Sequence, residues 1–449
     1  MLKLGQVIKC EYVHVPKVDK PNILFVLADD LGWGDVSYHG SDIRTPAIDR
    51  LAESGIQLEQ HYVCPMCTPT RVSFLTGRYP GRFGRRATTP SNPPVLPDNY
   101  ETLATSLRNN GYDTGLFGKW HLGSSPQFGP NHFGFNTSYG SLAGGVDPYN
   151  HHYKRGEFSQ TWHRNCQLIK QSGHVTDLIT DEAIKWLVGR EKPWFCYVPF
   201  TAVHVPIKAP QKWLDQYQFS TYDDDPLKDQ SFKRYAAYTS QMDSAVGRLI
   251  EVLECLNQRD NTIIIFSSDN GAISSARLHS SDQYPGWQEE QPKLGSNKPF
   301  RGQKAQLYEG GIRTPTIINW RGKLSPSVCL QPLHIADWMP TLTNLADCKL
   351  NHDPKWDGVD IWPVIAEGEK VDNRVLFWNF KGTQFCLRQG NWKLITTDGM
   401  SASDSQLYHI ESDPYETTDL SLGRPEIVKQ LLDQVTQQRK LDGISQRNE

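Results

Sequence analysis

The run Ile23 to Ala28 is apolar without interruption. This pattern predicts a strand buried on both faces rather than one with a wet side. It ends in Asp29-Asp30-Leu31-Gly32-Trp33-Gly34-Asp35. Thr45 to Gly55 then carries apolar residues at helical spacing (Ile48, Leu51, Ala52), with Gly55 as the stop. Asp98-Asn99-Tyr100-Glu101 reads as a capping box before the stripe Leu103 and Leu107, and Asn110-Gly111 closes that helix. Thr114 to Phe117 is a short strand leading into Gly118-Lys119-Trp120-His121-Leu122-Gly123. A helix over about Val175–Val188 precedes a strand over Trp194–Phe200, which runs on to His204. A helix over about Phe232–Leu256 precedes the strand Thr262–Phe266, which ends in Ser267-Ser268-Asp269-Asn270-Gly271.

Strands alternating with helices predict an α/β fold, with a large, mostly parallel sheet sandwiched by helices. The texture changes from about residue 371. Arg374–Asn379, Gln384–Arg388, Trp392–Thr396 and Gln406–His409 are closely spaced strand candidates, followed by a helix over about Pro425–Arg439. The expected division is a catalytic α/β unit over 1–370 and a smaller unit over 371–449, an antiparallel sheet with one helix. The boundary falls near Glu367-Gly368-Glu369-Lys370. There is no internal repeat.

Composition narrows the function classes. A net charge of −3 over 449 residues gives no electrostatic footprint for nucleic acid or an anionic membrane surface. No apolar run approaches the roughly 20 residues that span a bilayer. The nine cysteines are scattered without a disulfide pattern, and Met1 to Cys10 lacks a continuous apolar run. The expectation is a reducing, cytoplasmic compartment for the sequence as written, and a periplasmic or secreted one if a leader precedes it.

Ligands of open α/β sheets gather beyond the carboxyl ends of the strands. Polar groups of this chain collect there: Asp29 and Asp30 after one strand, Asp269 and Asn270 after another, Lys119 with His121 after a third, His204 after a fourth. Three carboxylates and one amide oxygen form a hard, all-oxygen donor set. It suits Ca²⁺, or Mg²⁺, better than zinc, which recruits His or Cys. Lys119, Arg71 and Lys304 supply positive charge for an anionic group, and His121 and His204 can move protons near neutrality. The glycines at 302, 310 and 311 around Lys304 suggest tight backbone geometry rather than an ordinary surface loop.

Beside these stands Cys67-Thr68-Pro69-Thr70-Arg71. Taken alone it admits three readings: a buried thiol, a redox pair with Cys64, or a cysteine that is chemically converted. The motif C-x-P-x-R, with Leu75-Thr76-Gly77-Arg78 after it, resembles the signature of the sulfatase family. Further matches follow in family order: Leu27 to Asp35, Gly118 to Gly123, His204, Ser268-Asp269-Asn270-Gly271, Lys304 with Glu309-Gly310-Gly311, and Leu407-Tyr408-His409-Ile410 through Asp413-Pro414. The resemblance covers nearly the whole chain. Position 70 is Thr where many members carry Ser or Ala.

The resemblance implies an alkaline-phosphatase-like fold and hydrolysis of sulfuric esters. It implies that Cys67 is converted to formylglycine by a maturation enzyme, and that the hydrated aldehyde is the nucleophile. It further implies that Asp29, Asp30, Asp269 and Asn270, with residue 67, bind Ca²⁺. Arg71 then holds the hydrate, Lys119 and Lys304 clamp the sulfate, His204 protonates the leaving alcohol and His121 acts as the base. The stretch Thr45-Pro46-Ala47-Ile48-Asp49 and the Lys119 and Lys304 motifs look closest to arylsulfatase B-like and polysaccharide sulfatases. The expected substrate is therefore a sulfated oligo- or polysaccharide, galactose-type sugars favoured. Asp147, Tyr149, His151 and His152 form an aromatic, polar loop suited to a sugar. His279, Trp287 and Arg313 are further substrate candidates. The alternative activity is a phosphodiester or phosphonate monoester hydrolase using the same nucleophile and metal.

Overall fold

The computed structural model describes residues 20–276, 284, 290–350, 353–371 and 373–443. Two of the sequence-derived candidates, His279 and Trp287, lie outside the described residues.

A ten-stranded sheet runs through the middle of the main body. In chain order the strands are β1 (Asn22–Ala28), β2 (Ile56–Leu58), β3 (His61–Tyr62), β4 (Asp113–Lys119), β5 (Thr137–Ser141) and β6 (Trp162–Arg164). They continue with β7 (Gln167–Leu168), β8 (Trp194–Pro199), β9 (Thr262–Ser268), β10 (Ile317–Asn319), β11 (Ser327–Cys329) and β12 (Leu333–His334). The large sheet is ordered β11-β2-β10-β9-β1-β8-β4-β5-β6-β7, and β3 pairs separately with β12. Its central strands are parallel: β1 lies between β8 and β9, and β4 continues from β8.

The uninterrupted apolar run of β1 has a direct physical cause. Leu24, Val26 and Ala28 face one core, where the helices Pro46–Glu53, Val175–Leu187 and Pro226–Cys255 pack. Ile23, Phe25 and Leu27 face the other, against the helices Cys67–Thr76, Leu103–Asn109 and Trp338–Leu345. With helices on both faces neither side of the strand meets water, so neither tolerates polar residues. No helix among the described residues is long and apolar enough to cross a membrane.

Three local expectations shift. The helix at 103 is capped by Thr102, whose Oγ1 accepts from Thr105 N at 3.2 Å and donates to the Phe133 carbonyl at 2.6 Å. Asp98 instead sits in an exposed turn beside His132, and Glu101 accepts from Ser106 Oγ. The long helix begins at Pro226 rather than near Phe232, because Asp225 caps it by accepting from Leu227 N and Pro226 is preset for the first helical position. Its first turns are polar and carry no apolar stripe. Gly55 is needed for space: a Cβ there would lie 2.6 Å from the Ile318 carbonyl oxygen.

The C-terminal sheet is antiparallel, in the order β13 (Val375–Phe380), β14 (Gln384–Gln389), β15 (Trp392–Thr397) and β16 (Gln406–His409). One face, with Phe377, Phe385, Leu387 and Leu394, packs on Val428, Leu431 and Val435 of the helix Pro425–Lys440. The other face, with Leu376, Trp378 and Cys386, packs on Tyr62, Cys64 and Ile312. Trp378 Nε1 donates to the Val63 carbonyl at 2.8 Å. The small sheet thus braces the segment that leads into Cys67.

Candidate active site

Cys67 opens the helix Cys67–Thr76, all ten residues of which are buried. Pro69 falls in the first turn, where a missing N–H costs nothing. Arg71 follows one helical turn after Cys67, so both side chains leave the same face. Its Nε and Nη2 donate to Asp269 Oδ2 at 3.2 and 2.8 Å, and Nη1 donates to the Lys119 carbonyl at 2.7 Å. One guanidinium thereby ties the helix to the ends of β9 and β4. Thr68 adds a second tie, its Oγ1 donating to the His121 carbonyl at 3.1 Å. Thr70 accepts from Cys64 N and donates back to the Cys64 carbonyl. That hydroxyl shapes the turn before the helix.

The parallel register brings the strand ends together, with Ala28 beside Ser268. Asp30 and His121 both sit at positive φ, 64° and 59°, a backbone state that few non-glycine residues adopt. Lys119 Nζ donates to Asp29 Oδ2 at 2.6 Å, and Lys304 Nζ donates to both Asp30 oxygens at 2.5 and 2.7 Å. Asn270 Nδ2 donates to Asp30 Oδ1 at 2.7 Å. The Cys67 thiol lies 3.2 Å from His121 Nδ1. His204 donates from Nδ1 to the Val205 carbonyl, which turns Nε2 toward Asp30 Oδ2 at 3.9 Å.

Burial dominates the electrostatics. It pushes the Asp29 carboxyl up to about 7, with Asp269 adding repulsion and Lys119 opposing. Burial works the same way on Asp30, but Lys304, His204 and Lys119 outweigh it and hold that carboxyl below the usual range. Burial raises the Cys67 thiol against the pull of Lys119 and Lys304. It also keeps His121 neutral, helped by Lys119 and Arg71, and lowers His204 to about 3, helped by Lys304.

Two buried oxygens, Asp29 Oδ1 and Asn270 Oδ1, have no hydrogen-bond partner among the described residues. Unpaired buried oxygens are costly, and a hard cation satisfies them. Ligand atoms of Asp29, Asp30 and His204 lie within 4.8 Å of one another. The donor set fits an oxygen-binding divalent ion.

The residue pattern matches the family model described as Sulfatase over residues 21–348. The chain belongs to the sulfatase family. The sulfatase is 33% identical to the mouse protein Arylsulfatase J over 94% of this chain and 76% of that protein. It is 30% identical to mouse N-acetylgalactosamine-6-sulfatase over 83% of this chain and 71% of that protein. Its structure superposes on the crystal structure of Ps i-CgsB in complex with k-i-k-neocarrahexaose, with a TM-score of 0.83 and 29% identity over 96% and 94% of the two chains.

In this sulfatase Cys67, Arg71, Lys119, His121, His204, Lys304, Asp29, Asp30, Asp269 and Asn270 come together. The described sugar candidates make their own contacts outside this cluster. Asp147 is buried, paired with Lys208, and accepts from Tyr149 N and Asn150 N. His151 Nε2 bonds the Gly173 carbonyl and its ring stacks on Trp162. His152 bridges to Gln160, and Tyr149 is exposed against His174. Arg313 donates to the Glu59 carbonyl and lies over Phe300 and Trp33. None of these hydrogen bonds reaches the Cys67 cluster. Sequence reasoning missed Thr68 and Gly144. A Cβ on Gly144 would lie 2.3 Å from His121 Cε1, so the glycine makes room for the imidazole. Only three-dimensional contact reveals either role.

Proposed function

We propose that this sulfatase removes sulfate from a sulfated carbohydrate, galactose-type sugars favoured, with residue 67 as formylglycine and Ca²⁺ as the metal. The observation that carries the reading is Cys67 at the start of a buried helix, 3.2 Å from His121, with Arg71 one turn on. The mouse N-acetylgalactosamine-6-sulfatase and the neocarrahexaose-bound structure support the sugar class.

Asp29, Asp30, Asp269 and Asn270 would hold the cation, which when bound supplies Lewis-acid polarisation of a sulfate oxygen. Formylglycine, when formed and hydrated, supplies an oxygen nucleophile where the thiol now stands. Arg71, locked by Asp269 and the Lys119 carbonyl, fixes the position of residue 67. Lys119 and Lys304 bring two ammonium groups to the sulfate oxygens. His204, oriented through its Nδ1–H, aims Nε2 at the leaving sugar oxygen; the negative charge of a bound sulfate ester offsets the repulsion from Lys304 that keeps this ring neutral, so that Nε2 can take up a proton and deliver it to the leaving oxygen. His121 accepts a proton at Nδ1 from the group on residue 67. Arg71, Lys119 and His121 are buried and His204 and Lys304 only partly exposed, which thins bulk water at the site and strengthens each charge interaction.

Two measurements test the reading: intact mass for conversion of Cys67, and turnover of an aryl sulfate against an aryl phosphodiester. A converted protein that prefers the phosphodiester by a large factor overturns the assignment in favour of the phosphodiesterase alternative.

A further inference from the structure

The cations of the site are matched by anions. Arg71 has Asp269, Lys119 has Asp29 and Lys304 has Asp30. On the nearby loop Lys208 has Asp147. Lys154 differs. It is half-buried, and Lys304 lies near enough to repel its charge. Among the described residues no carboxylate pairs with it. Its ammonium lies 5.7 Å from the centre of the Tyr153 ring.

Contacts link this lysine to the leaving-group side of the site. A Cβ on Gly145 would lie 3.3 Å from His204 Nδ1 and 2.3 Å from Tyr284 Oη. The Tyr284 ring meets the Tyr153 ring edge-on at 6.0 Å. His204, Gly145, Tyr284, Tyr153 and Lys154 therefore form one continuous wall. It starts at the residue that protonates the leaving sugar and ends at an unpaired cation.

We propose that Lys154 binds a second anionic group of the substrate, a sulfate or a uronate carboxylate on a neighbouring sugar, and so selects multiply charged glycans. The inference rests on the sulfatase reading above. Partial burial removes water from the ammonium, and repulsion from Lys304 adds to that cost, so an incoming anion restores what the fold withholds. Lysine is a compact point charge with rotatable donors and accepts either oxyanion. The half-buried Tyr153 ring, backed by the buried Tyr284, offers apolar surface to a sugar ring.

The test compares the wild type with Lys154→Met and Lys154→Arg, all with residue 67 converted. Three substrate classes are used: an aryl sulfate, a singly sulfated neutral oligosaccharide, and oligosaccharides carrying either a second sulfate or a uronate. The expected result is that Lys154→Met leaves kcat/KM for the first two within about twofold. It lowers kcat/KM for a doubly charged substrate by about tenfold or more, through KM, and Lys154→Arg restores most of it. The salt dependence of that KM should weaken in Lys154→Met. Whether the second sulfate or the uronate responds identifies the group that is read. Equal losses on all three classes, or no loss on either doubly charged substrate, overturn the proposal. Failure of the converted wild type on every sulfate ester, the aryl sulfate included, overturns the sulfatase reading itself and takes this inference with it.

Discussion

Arg71 Nη2 lies 2.8 Å from Asp269 Oδ2, and both side chains are fully buried. Removing one partner strands the other charge in a dry interior. Arg71→Ala is expected to cost about 3 to 5 kcal/mol of stability. Asp269→Asn should also destabilise, and the double variant should cost less than the sum of the two. Denaturant titration of the four proteins measures the coupling; strict additivity contradicts the pairing.

Gly144→Ala should displace the His121 ring, because the new methyl would sit 2.3 Å from Cε1 and Nε2. The ring can move where backbone could not, so the fold survives. The expectation is a fall in kcat of at least about tenfold, with Tm nearly unchanged. Retained kcat would show that the imidazole position is not critical.

Cys67→Ala should abolish turnover, whereas Cys64→Ala should keep most of it. The Cys64 thiol is pushed up to about 12 by burial, and its sulfur lies 3.7 Å from Ser73 Oγ. Comparable loss in both variants would revive a paired-cysteine chemistry.

Added Ca²⁺ should raise Tm, and a chelator should lower it. Binding to the native state alone stabilises by about 2.7 kcal/mol at a hundredfold excess over Kd. Asp29→Asn should flatten the response. A larger shift with Zn²⁺ than with Ca²⁺ would argue against an oxygen-ligated site.

Acid should destabilise the protein through His61 and His334. Burial, with His334 adding repulsion, lowers His61 to about 3; burial, with Arg374, lowers His334 to about 3. Trp338 Nε1 donates to His61 Nε2 at 3.0 Å, a bond that requires the unprotonated nitrogen. The unfolded histidines take up protons near pH 6.5 and the folded ones do not, so this stability is present above about pH 6.5 and is lost as pH falls toward about 3. His61→Gln should therefore lose less Tm between about pH 7 and about pH 4.5 than the wild type. Parallel Tm curves for the two proteins refute the assignment.

Much of the fold is legible in the sequence where burial is two-sided. The continuous run at Ile23–Ala28 leaves no other reading, and the polar residues that end neighbouring parallel strands necessarily meet. Legibility fails where a polar segment is ordered by local caps, as at Pro226, or where several polar side chains compete for a cap, as at Thr102 and Asp98. The charged residues that gather around Cys67 stand in ordered motifs and can be found by spacing. Thr68, Gly144 and Lys154 cannot, since their significance comes from chains of contact between segments distant in sequence. Asp147 and His151 look reactive in sequence, yet in the fold they fasten their loop to Lys208 and the Gly173 carbonyl.

All ten residues of Cys67–Thr76 are buried in a packed helix. If residue 67 becomes formylglycine as proposed above, whatever converts it must reach a side chain that the folded protein keeps from solvent. Conversion would then have to precede the closing of this helix or await its opening, and the fraction of active molecules would record how the two compare in time.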